Sequence, residues 1–472
     1  MKTITMKFGG TSVGSPEAIS NVIDIVKTER QAGNRVVVIV SAMAGVTDML
    51  LNSVKAAVAG SKWGYLSTAE KLRERHEDAL NILVPPGKLR EKTFDQVTAL
   101  LSEYTEICHA VSILGENTAR VSDAIVAYGE RLSSRVVAAA LKSRGVDALA
   151  YDAGEFLITD ERFQGANPIW EETQARVDAK LLPALAQGIT PIITGFIGAT
   201  RNGAITTLGR GGSDYSGAIF AAASNSDELI IWTDVDGVMT TDPRVDKRAR
   251  VLPYVSYQEI GELAFYGAKV LHPKTVQPVL DKGIPIWVRN TFNPSFAGTL
   301  IRENGEPTAT VIKAVTSIRN ISLLTVSGKG MIGVPGIAGR TFLATARAGA
   351  SILMISQSSS EQSFCFLVTE GTAQNVKDAI EGELSAEIDS RDIERVEVLD
   401  DVVIITAVGA GMRGTPGVAG RVFSVMGENR INVIAIAQGS SECSISFVVS
   451  EADLERSVIK LHDLALESVV EG

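Results

Sequence analysis

The apolar residues of the first 300 positions follow two alternating patterns. Short runs such as 35–43 and 227–238 are apolar at most positions and lack the alternation of a strand with one exposed face. These runs predict parallel strands that are buried on both faces of a sheet. The predicted strands cover 5–10, 35–43, 189–199, 227–238 and 283–290, and the predicted helices cover 16–33, 47–60, 122–144, 170–186, 213–224 and 256–270. Such alternation predicts a three-layer α/β domain with a mainly parallel sheet.

A more charged segment interrupts this alternation. Residues 61–120 are richer in charge and contain the stretch STAEKLRERHEDALNIL. Within it, Ser67 and Glu70 have the Ser-x-x-Glu spacing of a capping box, which predicts a helix start at Ser67. We expect this segment to form a helical insertion or lid.

The chain from about residue 305 contains an internal repeat. Residues 331–368 align without a gap with residues 412–449, so that Met331 coincides with Met412. Each copy is predicted to form, in order, a strand, a Gly/Pro turn, a helix, a strand, a turn and a strand. Two copies are too few for a solenoid. The repeat therefore predicts a paired domain with two equivalent small-molecule sites. The strand-like segment 310–318 precedes the first copy and can complete the sheet of the second.

Length and composition narrow the class of protein. At roughly 100–200 residues per domain, 472 residues predict two to four domains. The apolar runs fall short of the roughly 20 residues that cross a bilayer, and MKTITMKFGG is no cleavable signal, so we expect no membrane association. Three widely spaced cysteines, Cys108, Cys365 and Cys443, predict a reduced, cytoplasmic protein. A net charge of −10 argues against nucleic acid as the main partner.

Both repeat copies carry a glycine pattern that resembles a dinucleotide-binding fingerprint. GKGMIG (328–333) and GAGMRG (409–414) have the G-x-G-x-x-G spacing. That fingerprint also needs an acidic residue at the end of the second strand to bind the ribose. Here those strands end in MISQ and AIAQ, which disfavours a dehydrogenase. The chain also has no G-x-x-x-x-G-K-[ST] phosphate-binding loop.

Two glycine-rich turns hold a cation at a predicted strand end or helix start. MKFGGTSVGSPEA (6–18) places Lys7 before Gly9 and Gly10, where backbone N–H groups could approach a phosphate closely. TTLGRGGSDYSG (206–217) surrounds Arg210 with glycines and follows it with Asp214. An ordinary tight turn would also explain the first stretch, and helix capping would explain Asp214. Capping alone does not account for three glycines around an arginine.

Two further stretches carry candidate polar residues. SAMAGVTDML (41–50) places Thr47 and Asp48 after a predicted strand, at the edge where parallel sheets bind ligands. AYGERLSSR (127–135) places Glu130 inside a helix among apolar neighbours. Because glutamate is mostly exposed in proteins, spacing alone favours a solvated position for Glu130.

Taken together, seven motifs resemble those of the aspartokinases in order and spacing. They are KFGGTS, SAMAGVTD, GERLSS, TGFIG, TTLGRGGSDYS, WTDVDGVMTTDPR and GAKVLHP. The resemblance covers essentially the whole chain, and the repeat resembles the paired ACT domains of that family. Because nothing follows the second copy, the chain resembles the form without a fused homoserine dehydrogenase. The implied domains are an amino-acid-kinase (carbamate-kinase-like) fold at 1–300 and ferredoxin-like ACT modules at 301–398 and 399–472.

The resemblance also implies roles for individual residues. Lys7 and Asp214 match catalytic positions, with Asp214 orienting the lysine. Glu130 is implied to bind the substrate ammonium and Arg210 its α-carboxylate. Met239 departs from the tyrosine often found at that position, which leaves its stacking role open. The other matched positions are Ser41, Thr47 and Ser213 for the substrate, and Gly9, Gly10, Thr233, Asp234, Arg244 and Lys269, with Lys7 and Met239, for ATP. No residue is assigned to a metal.

The implied reaction transfers the γ-phosphoryl group of ATP, with Mg²⁺, to the β-carboxylate of L-aspartate. The family further implies feedback by lysine or threonine at the ACT domains and a homodimer or larger homo-oligomer. A bound lysine needs an acidic partner, but the strand SILMISQ offers apolar residues there, so we expect threonine. The expected effector contacts are Met331, Gly336, Ile337, Ala338, Gln357 and Gln438.

Two alternatives remain open from the sequence. One is a kinase for another small acid, namely acetylglutamate, glutamate or carbamate, although Glu130 and Arg210 suit a free amino acid better. The other is a regulatory amino-acid-binding protein with an inactive kinase domain, against which the retained Lys7, Arg210, Asp214 and Lys269 argue.

Overall fold

The computed structural model describes residues 1–266, 271, 273–303, 310–332, 334–358 and 362–466. These residues form two units. The first comprises the described parts of 1–238, 251–257 and 270–305, and the second those of 239–250, 258–269 and 306–472.

The elements up to residue 302 alternate largely as the sequence predicts. The strands are β1 (Thr3–Phe8), β2 (Arg35–Val40), β3 (Ala148–Tyr151), β4 (Thr190–Thr194), β5 (Ile197–Ala199), β6 (Ile205–Thr207), β7 (Glu228–Thr233), β8 (Tyr254–Ser256), β9 (Ile286–Asn290) and β10 (Thr299–Arg302). The helices are α1 (Pro16–Gln31), α2 (Val46–Val58), α3 (Lys62–Leu83), α4 (Lys88–Leu114), α5 (Ala119–Val126), α6 (Tyr128–Ser143), α7 (Trp170–Arg176), α8 (Leu182–Ala186), α9 (Gly212–Ala223), α10 (Tyr257–Phe265) and α11 (Pro273–Leu280), with a π-helical turn, Val177–Leu181, joining α7 to α8.

Eight of these strands form one mainly parallel sheet, which confirms the predicted fold class. Their order is β3-β4-β2-β1-β7-β9-β10-β8, and only the β9–β10 pair is antiparallel within this sheet. In β2, Val36, Val38 and Val40 belong to one hydrophobic core, while Val37 and Ile39 belong to another on the opposite face. This burial on both faces explains the continuous apolar run of β2.

The predicted capping box is wrong, although its segment is helical. Helix α3 begins at Lys62, and the Ser61 side chain caps it by accepting a hydrogen bond from the Gly64 N–H. Ser67 lies inside the helix and donates to the Gly64 carbonyl at 3.3 Å. Side chains of α3 and α4, including Leu72 and Val97, belong to the main core of the first unit. The segment is therefore an integral packed layer.

The second unit contains a six-stranded antiparallel sheet flanked by helices. Its strands are β11 (Ala314–Ser327), β12 (Met354–Gln357), β13 (Ser363–Thr369), β14 (Arg395–Val408), β15 (Ala435–Ala437) and β16 (Ser444–Ser450), in the order β12-β13-β11-β14-β16-β15. Its helices are α12 (Ile337–Arg347), α13 (Glu370–Glu383), α14 (Ser385–Asp389), α15 (Val418–Glu428) and α16 (Leu454–Leu466).

The two repeat copies share the long strands β11 and β14. Ala314–Ile318 pairs with Ile404–Val408, whereas Leu323–Ser327 pairs with Arg395–Leu399. Asn320 and Asp401 have positive φ at equivalent positions, near the register shift between these halves. The strand before the first copy thus lies beside the first strand of the second copy.

Candidate active site

Lys7 lies near the carboxyl end of β1 and faces helix α9. Its neighbours Met6 and Phe8 fill the core on the other side of the sheet. A Cβ on Gly217 of α9 would lie 3.2 Å from the Lys7 Cβ, so this glycine makes room for the lysine stem. The Lys7 Nζ is 2.5 Å from the Asp214 Oδ1, and Lys7 is 8% exposed. The strand end therefore presents a largely buried, carboxylate-paired ammonium.

Helix α9 begins at the glycine-rich stretch around Arg210. Gly211, with φ 70°, occupies the N-cap position, so neither Ser213 nor Asp214 is the cap. Asp214 lies in the first turn and pairs with Lys7 instead. The Arg210 side chain is exposed and makes no hydrogen bond or ion pair to any described residue. Its guanidinium fork is available to an anionic ligand.

Glu130 is a buried carboxylate on α6. The residue is 3% exposed, and its Oε2 has no hydrogen-bond partner among the described residues. Burial raises the pKa of Glu130 to about 8, although bonds from backbone N–H groups and the nearby Lys7 charge oppose this shift. A buried carboxylate with an unpaired oxygen is stabilised by a cation, which makes this position suited to an ammonium ligand.

One cavity of about 750 Å³ in the first unit brings these groups together. The helices α2 and α9 both begin at its wall, each after a glycine with positive φ, and their N-termini favour negative charge. The cavity therefore offers several groups for an anion, and the buried Glu130 carboxylate lines it as a group for a cation. The predicted site residues that line it are Lys7, Gly10, Ser41, Thr47, Glu130, Arg210, Ser213 and Asp214.

Asp123 also lines this cavity, and sequence reasoning missed it. Its carboxylate accepts hydrogen bonds from the Gln164 N–H at 2.9 Å, the Thr207 N–H at 2.9 Å and the Thr207 hydroxyl at 2.8 Å. Burial raises the pKa of Asp123, and these bonds oppose that shift. Asp123 thus ties α5 to a distant loop at Gln164 and to the end of β6 at Thr207, a role that has no local sequence signal.

Gly9, Thr233 and Asp234, which are also predicted nucleotide contacts, do not line this cavity. Thr233 ends β7 and donates a hydrogen bond to Asp234 at 3.2 Å, and the Gly9 N–H donates to the Trp232 carbonyl at 3.1 Å. Lys269 lies outside the described residues.

Met239 and Arg244 belong to the second unit. Arg244 is exposed there and pairs with Asp242.

A second cavity, of about 360 Å³, lies in the first repeat copy of the second unit. Five of the six expected effector contacts line it. Gln438 is exposed after β15 and does not. The cavity is lined by Met331, Val334, Pro335, Gly336, Ile337, Ala338, Gln357 and Phe364.

The described part of the chain contains neither a cluster of metal-ligating side chains nor a membrane-spanning helix. No group of three or more His, Cys, Asp or Glu there is arranged to hold a metal ion. None of the helices there has the length and apolar character needed to span a bilayer.

Family models match both parts of the chain. The amino acid kinase family matches residues 2–290, and the ACT domain matches residues 324–384 and 405–464. The chain is 38% identical over 464 residues to maize bifunctional aspartokinase/homoserine dehydrogenase 1, covering 97% of the chain and 50% of that protein. It is 33% identical over 476 residues to Arabidopsis thaliana aspartokinase 1, covering 99% of the chain and 80% of that protein. The chain thus spans about half the length of the bifunctional relatives it matches.

A solved structure also matches over nearly the full chain. E. coli aspartokinase III in complex with aspartate and ADP has a TM-score of 0.81 and 31% identity, covering 99% of this chain and 100% of that one. The same enzyme in complex with lysine and aspartate has a TM-score of 0.80 and 31% identity, with the same coverage.

Proposed function

Because this chain belongs to the amino acid kinase family and, within it, to the aspartokinases, we propose that it phosphorylates the β-carboxylate of L-aspartate with ATP. The products are 4-phospho-L-aspartate and ADP. One observation carries the proposal: a single cavity contains the Lys7–Asp214 pair, the Glu130 carboxylate, whose Oε2 has no partner among the described residues, and the unpaired guanidinium of Arg210.

The cavity supports a specific mode of aspartate binding. The Glu130 carboxylate binds the substrate ammonium, which lowers its raised pKa and satisfies its orphaned oxygen. Arg210 binds the α-carboxylate through its bidentate fork. Ser41, Thr47 and Ser213 provide hydroxyl groups on the same wall.

Catalysis then depends on positioning and charge neutralisation. The β-carboxylate of aspartate is already ionised at neutral pH, so the reaction needs no general base. Lys7, held by Asp214, and the N-termini of α2 and α9 stabilise the negative charge of the transferring phosphoryl group. We assign Gly9, Gly10, Thr233, Asp234, Met239, Arg244 and Lys269 to ATP as a hypothesis.

The cavity wall also fits a magnesium ion. Asp48 and Asp214 line the cavity and offer the carboxylate oxygens that Mg²⁺ prefers. These residues would hold the ion, which would add neutralisation of phosphate charge.

An acceptor panel tests the activity. ADP release is coupled to a reporter, and hydroxylamine traps any acyl phosphate, with L-aspartate, L-glutamate, N-acetyl-L-glutamate and carbamate as acceptors. We expect hydroxamate with L-aspartate and none with N-acetyl-L-glutamate or carbamate, because Glu130 requires a free ammonium. L-glutamate also carries a free ammonium, so its result reports on the length of the acceptor side chain. Activity with N-acetyl-L-glutamate instead would contradict the assignment, and inactivity with every acceptor would favour the purely regulatory alternative.

We further propose that the cavity in the first repeat copy binds a feedback effector, and that the effector is threonine. Gln357 offers an amide to a hydroxyl or a carboxylate, and none of the described lining residues is acidic. The E. coli relative forms a complex with lysine, so lysine is the competing effector. Inhibition by lysine but not by threonine would contradict the threonine assignment.

The repeat modules also support self-association. Strands β12 and β15 are the edges of the sheet, and each carries an exposed isoleucine, Ile355 or Ile436. Unpaired edges with apolar side chains favour pairing with another chain. We propose that a catalytic domain comprises residues 1–300, and that a homodimer or larger assembly forms through the modules at 301–398 and 399–472. A monomer in analytical ultracentrifugation would contradict it.

A further inference from the structure

Arg75, on helix α3, links two loops of the candidate active site. Its Nη1 donates to the Ala44 carbonyl at 2.8 Å, and its Nη2 donates to the Gly14 carbonyl at 2.9 Å. Gly14 belongs to the loop after β1, and Ala44 to the loop after β2. One side chain from a helix outside the sheet thus fixes the separation of two loops.

These two loops pack closely against each other. The Ala44 N–H donates to the Gly10 carbonyl at 3.1 Å, and a Cβ on Gly10 would lie only 3.1 Å from the Ala42 carbonyl oxygen. Gly10, Ala42 and Ala44 all line the 750 Å³ cavity. A small change in loop separation therefore changes the shape of the cavity wall.

The Arg75 contacts also orient peptide groups. In a trans peptide the N–H points opposite to the C=O. The bond to the Ala44 carbonyl therefore directs the Gly45 N–H away from Arg75, and this N–H donates to no described residue. Gly45 lines the cavity directly before α2. Arg75 thus leaves a donor available at the helix start where an anion would bind.

No ion pair among the described residues accounts for the positive charge of Arg75. Burial lowers the pKa of Arg75, and among the described residues no carboxylate forms an ion pair with it. Two carbonyl groups from different loops are its hydrogen-bond acceptors. Such a half-buried cation is held by backbone geometry alone, which favours a positioning role over a solvated surface role.

We propose that Arg75 is a positioning residue for phosphoryl transfer, which sets the two loops that shape the site for ATP and aspartate. This proposal rests on the proposed function. A lysine carries one ammonium and cannot reproduce the planar fork that joins both carbonyls.

Three variants test the proposal: Arg75→Met, Arg75→Lys and the control Arg73→Met. Arg73 lies on the same helix but is exposed and pairs with Glu70 of that helix. We expect Arg75→Met to lower kcat/KM about 10- to 100-fold, with Arg75→Lys intermediate and Arg73→Met unchanged. Hydrogen exchange of residues 9–15 and 41–45 should speed up in Arg75→Met, less so in Arg75→Lys, and not in Arg73→Met.

The possible results distinguish the role of Arg75 from the proposed aspartate kinase activity. Kinetics of Arg75→Met that equal those of Arg73→Met, in an active wild type, would overturn the role of Arg75 alone. If Arg75→Met does not fold, wild-type kinetics and exchange in Arg75→Lys would overturn it. If the wild type itself does not phosphorylate aspartate, the proposed function fails, and the exchange of the two loops still decides whether Arg75 positions them.

Discussion

Replacing Glu130 by glutamine should make the protein more stable and less active. The substitution keeps the shape of the side chain but removes a buried ionisable carboxyl group whose Oε2 has no partner among the described residues. A residue retained for stability would behave in the opposite way. Measuring both stability and activity therefore separates a ligand-binding role of Glu130 from a structural one.

The magnitude follows from the raised pKa of Glu130. Burial raises this pKa from 4.5 to about 8, so between these values the unfolded chain has released a proton that the folded chain retains. The free energy of unfolding must then fall as pH rises through this window, on the order of 1 kcal/mol per pH unit and a few kcal/mol in total. Glu130→Gln removes that fall. The variant should be the more stable protein near pH 8.

The assay combines thermal unfolding with kinetics. Midpoints are recorded from pH 4.5 to 8 for the wild type, Glu130→Gln and the exposed control Glu116→Gln, each with and without L-aspartate. Bound aspartate should flatten the wild-type pH dependence, because its ammonium lowers the pKa of Glu130. The KM for aspartate should rise at least about 30-fold in Glu130→Gln, as expected from about 2 kcal/mol for a lost buried charge contact. An unchanged KM would refute the reasoning, as would a variant that is no more stable than the wild type near pH 8.

Three further predictions concern other positions. Lys7→Ala should lower kcat by about 10²–10³-fold, because it removes one group that stabilises the negative charge of the transferring phosphoryl group. We expect little loss of thermal stability. Near-normal turnover would refute the role of Lys7. Gly217→Ala should lower kcat, because its Cβ would lie 3.2 Å from the Lys7 Cβ. Its unfolding midpoint should not fall, because alanine favours helices more than glycine does. A wild-type kcat would contradict this. His462→Ala should destabilise the second unit by about 1–3 kcal/mol, because the buried ring forms hydrogen bonds with Asp246 and Thr240, each at 2.8 Å. An unshifted unfolding transition in calorimetry would count against this.

The buried strands are the part of the fold most accessible from sequence. A strand covered on both faces has no polar positions, and β2 contributes alternate residues to two cores, as its apolar run predicts. Helix starts are harder to predict. Ser67 and Glu70 satisfy the spacing of a capping box, but Ser61 already caps the same helix upstream. More than one residue can have the sequence pattern of a helix cap, and the packing of the folded chain determines which of them caps the helix.

The candidate site is only partly readable from sequence. Glycine-rich stretches near Lys7 and around Arg210 mark both cations as candidates, although an ordinary tight turn would also explain the first stretch. Spacing favours a solvated Glu130, whereas tertiary packing buries it to 3% exposure. Asp123 and Arg75 act through hydrogen bonds to residues that are distant in the chain. No local pattern encodes such contacts.

Phosphorus NMR of the reaction mixture detects both products of the proposed phosphoryl transfer at once. The wild-type protein is incubated with ATP, Mg²⁺ and L-aspartate, and the phosphorus resonances of ADP and acyl phosphate are followed together. Phosphoryl transfer to aspartate requires one acyl phosphate for each ADP formed, with both signals dependent on aspartate and lost in Lys7→Ala. ADP without an acyl phosphate, or no ADP at all, would contradict it.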